Sequence, residues 1–350
     1  MKWQTLETRA NNTVFLSWLW ISHWLDLVTG KVFVVECYDA KKLVGLACFV
    51  ENTRKAFGFI PVKQWFLHRT GNESEDQIWI EYNDFLLDSA VEVKARSSMI
   101  KAVCDYDASV KEFIVGLSSK GILSNFQQSF AHSRELISTK GYSVDFDKIQ
   151  HVYLTEVLSK NSRAQIKRSE KLLTQEGELS FSVSFNKEEI SQLLGDIAEI
   201  HINRWQNTLE GSGFTNPLFS HFHQSLINDD CNNVVQVATL SLNNRAIGYL
   251  FNFVYQEHVY FYLSALTVFE NNKIKVGLTL HAKAIQFYQA QGLSCYDFLG
   301  GEARYKSSLS NQHYNLAILS FFNNSIILQV ENKLKVIKHS LKLWLSTFID

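Results

Sequence analysis

The chain has 350 residues, a formal net charge of −1 and 46% hydrophobic residues. This length suits two domains of ordinary size, and the near-neutral charge argues against binding to DNA. Five cysteines lie far apart without a C-x-x-C pair, which predicts neither a disulfide framework nor a metal site. The amino terminus has no signal-peptide pattern, and no run is apolar enough to span a membrane. We therefore expect a cytoplasmic protein.

The first half of the chain combines helical and strand patterns. An apolar helix ends near Gly30, and strands are predicted at 31–37 and 43–50 around a polar turn. A further strand is predicted to begin within 78–88. Residues 107–119 and 121–137 give helical or mixed patterns that end at a turn around Gly141. We place a domain boundary near residue 150, between domains of residues 1–150 and 151–350.

The second half predicts a mixed α/β domain. A short strand at 151–154 leads into a long basic helix, and a strand at 181–185 precedes a helix that carries His201 and Trp205 on one face. Three β-rich runs then follow as an antiparallel meander. The meander is followed by a helix with Gly292 as its carboxyl-terminal cap and then by the strand "SCYDFLG".

Two surfaces of this half allow alternative interpretations. On the long basic helix, one face carries Lys160, Arg163, Lys167 and Lys171; it is a phosphate-facing surface or, as the residues alone favour, a solvated one. The terminal segment 329–348 is amphipathic. Its apolar positions are Leu334, Ile337, Leu341, Trp344 and Leu345, against Lys333, Lys335, Lys338 and Lys342. It could contact an anionic membrane, but packing on its own domain is favoured.

The stretch "VGLTLHAKAIQFYQAQGLSCYDFLGGEARYKSSL" at 276–309 resembles acyltransferases of the GNAT superfamily. The similarity is to the branch that contains CelD-like polysaccharide-biosynthesis proteins and FemABX peptidyltransferases. The features that carry it are Gly277, Gly292, Asp297, Gly300–Gly301 and Tyr305–Lys306. Upstream, residues 162–168, "HINRW" at 201–205 and "EYNDFLLD" at 81–88 resemble further segments of the branch. The resemblance implies two tandem GNAT-like domains, each a mostly antiparallel twisted sheet flanked by helices, with the first domain degenerate.

The resemblance also implies a donor site at the start of the helix that contains Gly277. The superfamily's pyrophosphate loop follows Q/R-x-x-G-x-G/A, of which residues 272–277 keep only Gly277. Backbone N–H groups at a helix start attract anions. We expect Val276, Gly277 and Leu278 to bind the donor together with Lys273 and Lys275.

The remaining site residues come from the same resemblance combined with their chemistry. Asp297 could accept a proton from an amine and Lys306 could stabilise an oxyanion, unless the two form a structural pair beside the Gly-Gly turn. Tyr305 is expected to shape the pocket, and His201 is a candidate base or a core residue. The expected substrate-binding residues are Arg163, Arg168, Arg204, Trp205 and Tyr82.

The function implied is transfer of an acyl group from acetyl-CoA or another acyl-CoA to an amine, with no metal. The implied acceptor is an amino sugar or sugar-linked intermediate of envelope or extracellular polysaccharide, which suggests peripheral contact with membrane-bound polysaccharide machinery. Aminoacyl transfer from charged tRNA, as in Fem-type enzymes, is the first alternative. A non-catalytic GNAT-like subunit of a polysaccharide synthesis complex is the second. The acyl group and the oligomeric state stay open.

Overall fold

The computed structural model describes residues 1–208, 211–323 and 325–346, and the side chains of 336 and 338–346 lie outside the description. The helices are α1 (Lys2–Glu7), α2 (Trp18–Leu27), α3 (Glu92–Tyr106), α4 (Lys120–Ser129), α5 (Tyr153–Glu156), α6 (Lys160–Glu176), α7 (Lys187–Trp205), α8 (Pro217–Asp229), α9 (Val276–Ala290), α10 (Arg304–Leu309) and α11 (Ile326–Ser346). The strands are β1 (Val32–Asp39), β2 (Lys42–Ala56), β3 (Ile60–Leu67), β4 (Leu86–Leu87), β5 (Val110–Ser119), β6 (His132–Asp145), β7 (Leu179–Ser184), β8 (Val235–Leu242), β9 (Arg245–Tyr255), β10 (His258–Leu266), β11 (Cys295–Gly300) and β12 (Gln312–Phe322).

The chain divides into two compact units that are not contiguous in sequence. Unit 1 comprises residues 1–12, 28–138 and 316–350, and unit 2 comprises residues 13–27 and 139–315. The boundary predicted near residue 150 differs from this division, because α2 belongs to unit 2 and α11 belongs to unit 1. The assignment of residues 1–150 and 151–350 to two GNAT-like domains stays a prediction.

In unit 1, the strand order is β1-β2-β3-β5-β12, with β4 paired to β2. Neighbouring strands are antiparallel except β3 and β5. Helices α3 and α4 pack on this sheet, and the core between them is rich in aromatic side chains, among them Phe49, Trp65, Phe113 and Phe126. Burial of such large rings is the main source of stability for a unit of this size.

A buried charge network fixes α11 to unit 1. Glu331 of α11 accepts hydrogen bonds from Arg54 at 2.7 and 3.0 Å and from Arg134 at 3.2 Å. Both arginines also bind the fully buried Glu112. Burial would raise the pKa of Glu331, but the guanidinium groups hold it at about 2. The anchoring side of α11 is thus this charged side, together with Leu328.

This arrangement corrects the expectation for the terminal helix. The sequence placed its apolar face against the carboxyl-terminal domain, whereas α11 docks on unit 1 and leaves Leu334 and Ile337 exposed. The side chains of the remaining predicted residues of this helix lie outside the description. They are Leu341, Trp344 and Leu345 of its apolar face and Lys338 and Lys342 of its basic face.

In unit 2, the strand order is β6-β11-β10-β9-β8-β7. All pairs are antiparallel except β10 and β11. Helices α6 and α9 cover one face of the sheet, where Leu280 and Phe298 belong to the core. Helices α2, α7 and α8 cover the other, where Trp20 packs on Phe222 and Phe253. The predicted mixed α/β class, with a mostly antiparallel sheet flanked by helices, is confirmed.

Several predicted elements are confirmed. The strands expected at 31–37 and 43–50 are β1 and β2, and the meander is β8, β9 and β10. Helix α9 ends just before Gly292, whose φ of 77° requires the left-handed conformation that glycine adopts most easily.

Three stretches in the first 160 residues differ from what their patterns predicted. Residues 107–119, whose pattern is helical or mixed, contain β5; its run of buried residues has no alternation because it is an inner strand covered on both faces. Residues 78–88 contain only the two-residue β4, because buried polar residues such as Asn83 bind neighbouring backbone there. Residues 151–154 lead into the short helix α5.

Candidate functional site

A surface pocket of about 290 Å³ opens at the amino-terminal end of α9 in unit 2. Among the residues that line it are Arg204, Leu266, Val268, Lys275, Val276 and Gly277. Arg204 and Lys275 are exposed cations, and Val268 is an apolar side chain with 79% exposure. The pocket therefore combines positive charge with apolar surface, which suits a ligand that carries both phosphate and apolar parts.

The start of α9 contributes backbone donors to this pocket. Lys275 occupies the cap position, and no side chain of the described residues caps the helix by a hydrogen bond. The N–H groups of the first turn have no acceptor within a helix, and the helix dipole adds positive potential at this end. The first turn is therefore a favourable place for an anion.

Ser169 of α6 fixes the position of this helix start. Its fully buried hydroxyl accepts the Lys275 N–H at 2.8 Å and the Thr279 hydroxyl at 3.0 Å. Because the same oxygen binds both residues, α6 sets where the first turn of α9 lies. The sequence marked the neighbouring Arg168 instead, since a buried serine in a polar helix gives no distinctive pattern.

Arg204 connects the pocket to two predicted catalytic residues. It lies at the end of α7, 5.6 Å from the ring centroid of Trp205. Burial raises the pKa of Tyr305 to about 12, against a lowering by the Arg204 charge. Burial, together with the same charge, lowers the pKa of His201 to about 4. Near neutral pH, Tyr305 is therefore a protonated donor and His201 is a neutral imidazole.

His201 is held by its neighbours rather than by a carboxylate. Its Nδ1 lies 2.8 Å from the Ser212 hydroxyl. Its ring stacks on Trp205 at 6.0 Å and meets the edge of Phe214. A half-buried neutral imidazole can accept a proton in principle, but the adjacent Arg204 opposes formation of the imidazolium.

Tyr305 and Lys306 both interact with His281, a buried histidine that the sequence analysis did not select. The ring of His281 stacks on Tyr305 at 5.5 Å, and its Nδ1 lies 3.1 Å from the Tyr296 hydroxyl. Burial, followed by the Lys306 charge, lowers the pKa of His281 to about 3. His281 is therefore neutral at every pH at which the protein would work.

The Gly-Gly turn brings Lys306 back to the end of β11. The Lys306 ammonium donates to the Gly300 carbonyl at 2.5 Å. Gly301 has a φ of 115°, and a Cβ there would lie 3.3 Å from Lys306 Nζ. The positive φ favours glycine at this position, and a Cβ there would in addition crowd the ammonium.

Asp297 points to the opposite face of the sheet from this histidine. Its strand neighbours Tyr296 and Phe298 both contact His281, so alternation directs Asp297 away from α9. There its Oδ1 accepts the Leu299 N–H at 2.7 Å and the Tyr314 hydroxyl at 2.5 Å. The structure thus brings Asp297 together with a tyrosine that the sequence did not mark.

The other predicted site residues are not among the described residues that line the pocket. Arg163 donates to the carbonyls of Thr155 and Leu158, which is a local contact with the end of α5. Arg168 is exposed on α6, and Leu278 is half-buried in the first turn of α9. Lys273 is exposed and is not among the described residues that line the pocket. Tyr82 belongs to unit 1, in a left-handed conformation with φ of 51°.

Comparison with known proteins agrees with this architecture. Residues 160–307 match the profile of the acetyltransferase (GNAT) domain. The crystal structure of FemX superposes with a TM-score of 0.62 at 9% identity, covering 94% of this chain and 97% of FemX. The carboxyl-terminal domain of a putative lysylphosphatidylglycerol synthetase from Agrobacterium fabrum gives 0.55 at 12% identity, covering 95% and 94%. L-PGS from Bacillus licheniformis gives 0.54 at 10% identity, covering 95% of each chain.

A search of curated proteins gave no match. The sequence profile covers unit 2 from α6 to α10, which includes the start of α9 and the Tyr305–Lys306 pair. The shared fold extends over nearly the whole chain. Residues 160–307 are therefore identified as a GNAT acetyltransferase domain by their sequence profile, and the chain as a whole shares the fold of FemX and of the lysylphosphatidylglycerol synthetase domain.

Proposed function

We propose that this protein is an acyl-CoA-dependent N-acyltransferase that binds the donor's pyrophosphate at the start of α9. The observation that carries the proposal is the pocket in which an uncapped helix start meets Lys275 and Arg204. A pyrophosphate placed there would receive backbone hydrogen bonds and two positive charges. The apolar rim at Val268 and Leu266 would suit the donor's pantetheine arm.

The chemistry requires few groups from the protein. The amine nitrogen forms a bond to the thioester carbonyl carbon, the bond from that carbon to sulfur breaks, and the amine loses a proton. Tyr305, protonated near neutral pH because its pKa is about 12, can donate a hydrogen bond but cannot act as the base. Neutral His201 and the Asp297–Tyr314 pair are the candidate acceptors of the proton.

Lys306 takes the role of electrostatic stabiliser in this proposal. It is 9% exposed and its ammonium is held at the Gly300 carbonyl, so its position is defined before substrate binds. A fixed ammonium stabilises an oxyanion better than a mobile one, because no reorganisation is needed during the reaction. Trp205, which lies beside Arg204 at the end of α7, is proposed to contact the acceptor.

The finer assignments rest on the family resemblance. We propose acetyl as the acyl group and an amino sugar, or a sugar-linked intermediate of envelope or extracellular polysaccharide, as the acceptor. Arg163 and Arg168 of α6, which do not line the pocket, are proposed as further contacts to the acceptor. A role for Tyr82 of unit 1 stays a prediction.

A second candidate is aminoacyl transfer from charged tRNA. It is favoured by the fold shared with FemX and with the domain of a putative lysylphosphatidylglycerol synthetase. The near-neutral net charge weighs against a tRNA-binding surface.

The experiment that tests the proposal offers both donors to the full chain. One reaction contains acetyl-CoA with a panel of amino sugars, and the other contains charged tRNA with the same amines; products are resolved by mass. N-acetyl product with release of free CoA supports the first function. Aminoacyl product from tRNA alone replaces it with the second. If neither donor binds or reacts, a non-catalytic subunit is favoured.

A further inference from the structure

Helix α11 exposes a continuous apolar face. Ile326, Val330, Leu334 and Ile337 are 78%, 44%, 52% and 54% exposed. Their spacings of four, four and three residues place them on one side of the helix. This side is distinct from the one that carries Glu331 and Leu328, which anchor α11 to unit 1. The protein thus holds the helix firmly while leaving an apolar stripe uncovered by its described residues.

The same helix is strongly basic. Between Glu331 and Asp350 the sequence contains four lysines and no acidic residue. Lys333 borders one edge of the apolar face, and Lys335 lies on the polar side, 3.4 Å from Glu331. The sequence continues both patterns with Leu341, Trp344, Lys338 and Lys342, whose side chains lie outside the description.

We propose that α11 binds the surface of an anionic lipid bilayer, lying flat with this apolar face in the headgroup region. An apolar stripe flanked by lysines is the arrangement that interfacial helices use, since apolar burial and attraction to anionic lipid add together. A second copy of the chain fits less well, because pairing two such helices would bring their lysines together. No helix within the described ranges is long and apolar enough to cross the membrane.

The test is co-sedimentation of the full chain with vesicles. Phosphatidylcholine vesicles with and without phosphatidylserine are compared at low and high salt. We expect binding only with phosphatidylserine, reduced by salt. The double variant Leu334→Asp/Ile337→Asp should lower the partition coefficient at least about tenfold, because two apolar contacts are lost. The control Val93→Asp, at a 73% exposed position of α3, should bind like the wild type.

A charge variant keeps the test decisive if the double variant is unstable. Lys333→Glu, at an exposed position, should lower binding to the anionic vesicles about fivefold or more without changing the fold. Absence of binding to phosphatidylserine, or equal loss in Val93→Asp, would overturn the proposal. The proposal would also be overturned if light scattering showed that the wild-type chain self-associates and that the double variant does not. A second copy of the chain would then cover this face.

Discussion

In unit 2, the ring of Tyr314 packs closely against Gly141, and its hydroxyl donates a hydrogen bond to Asp297. A Cβ at Gly141 would overlap the ring of Tyr314, so only glycine lets this ring cross β6 and reach the Asp297 carboxylate. The resemblance pointed to Asp297, but Tyr314 lies 17 positions away on another strand. Such a contact depends on strand pairing, which no local pattern in the sequence reveals.

This pair leads to a prediction about Gly141→Ala. The methyl group must displace the tyrosine ring, so we expect loss of the bond to Asp297 and a fall in kcat of about tenfold if the pair serves the reaction. Tyr314→Phe should give the same fall, and steady-state kinetics measures both. Gly195→Ala is the control, because a Cβ there meets nothing within 4 Å. Unchanged kcat in both test variants would assign the pair to structure alone.

Lys306 gives a second prediction at this scale. If its ammonium stabilises developing negative charge, Lys306→Met should lower kcat by roughly 10²–10³ and leave donor affinity nearly unchanged. Thermal unfolding and single-turnover rates are measured on the same preparation. A variant that melts earlier but reacts at the normal rate per folded molecule would show that Lys306 only ties the turn at Gly300.

At the scale of elements, α6 and α9 together form the proposed donor site, because Ser169 of α6 binds the start of α9. The sequence predicted both helices because their polar and apolar periodicity is clear, and it predicted the helix start at Lys275–Gly277. It could not predict the Ser169 contact, because a serine in a polar helix has the same sequence context whether its hydroxyl faces water or a neighbouring helix. By contrast, the segment of β5 gave only a helical or mixed pattern, because buried inner strands and short apolar helices share the same composition.

Ser169→Ala tests this coupling. The change leaves the Lys275 N–H and the Thr279 hydroxyl without their buried acceptor, which should lower the free energy of unfolding by about 1–3 kcal/mol. Donor affinity should fall as well, because the first turn of α9 is no longer fixed. Chemical denaturation and calorimetry give the two values. Thr174→Ala, an exposed site on the same helix, is the control; an equal loss there would refute the coupling.

At the scale of the whole molecule, buried neutral histidines should make stability depend on pH. Burial lowers the pKa of His223 to about 4, while a histidine in the unfolded chain titrates near 6.5. The unfolded chain therefore binds more protons between these values, and stability is lost as pH falls from about 6.5 toward 4. His68 and His281 shift in the same direction.

The variant His223→Phe should make this loss of stability smaller. His223 Nε2 has no hydrogen-bond partner among the described residues, and aromatic rings surround the imidazole. We expect the fall in unfolding free energy between pH 6.5 and pH 5 to shrink by about 1 kcal/mol. Denaturant titrations at several pH values provide the slopes. Identical slopes for variant and wild type would mean that His223 is not buried as a neutral group.

The architecture of the whole molecule was partly predictable. The mixed α/β class follows from alternating helix and strand patterns, and the resemblance of residues 276–309 pointed to the GNAT domain that the profile match over residues 160–307 identifies. The division into compact units was not predictable, because segments 13–27 and 316–350 join units that are distant from them in sequence. Local patterns record how a segment folds but carry no information about which distant segment it packs on.

The central claim, that the start of α9 binds the phosphates of an acyl-CoA, is tested most directly by calorimetric titration of acetyl-CoA into two lysine variants. Lys275 lines the pocket, whereas Lys273 is exposed two residues away and provides a matched control. We predict that Lys275→Glu weakens acetyl-CoA binding by about 1–3 kcal/mol, and that Lys273→Glu has a clearly smaller effect because solvent screens it. Wild-type affinity in Lys275→Glu, or no binding of acetyl-CoA to the wild-type chain, would contradict the claim.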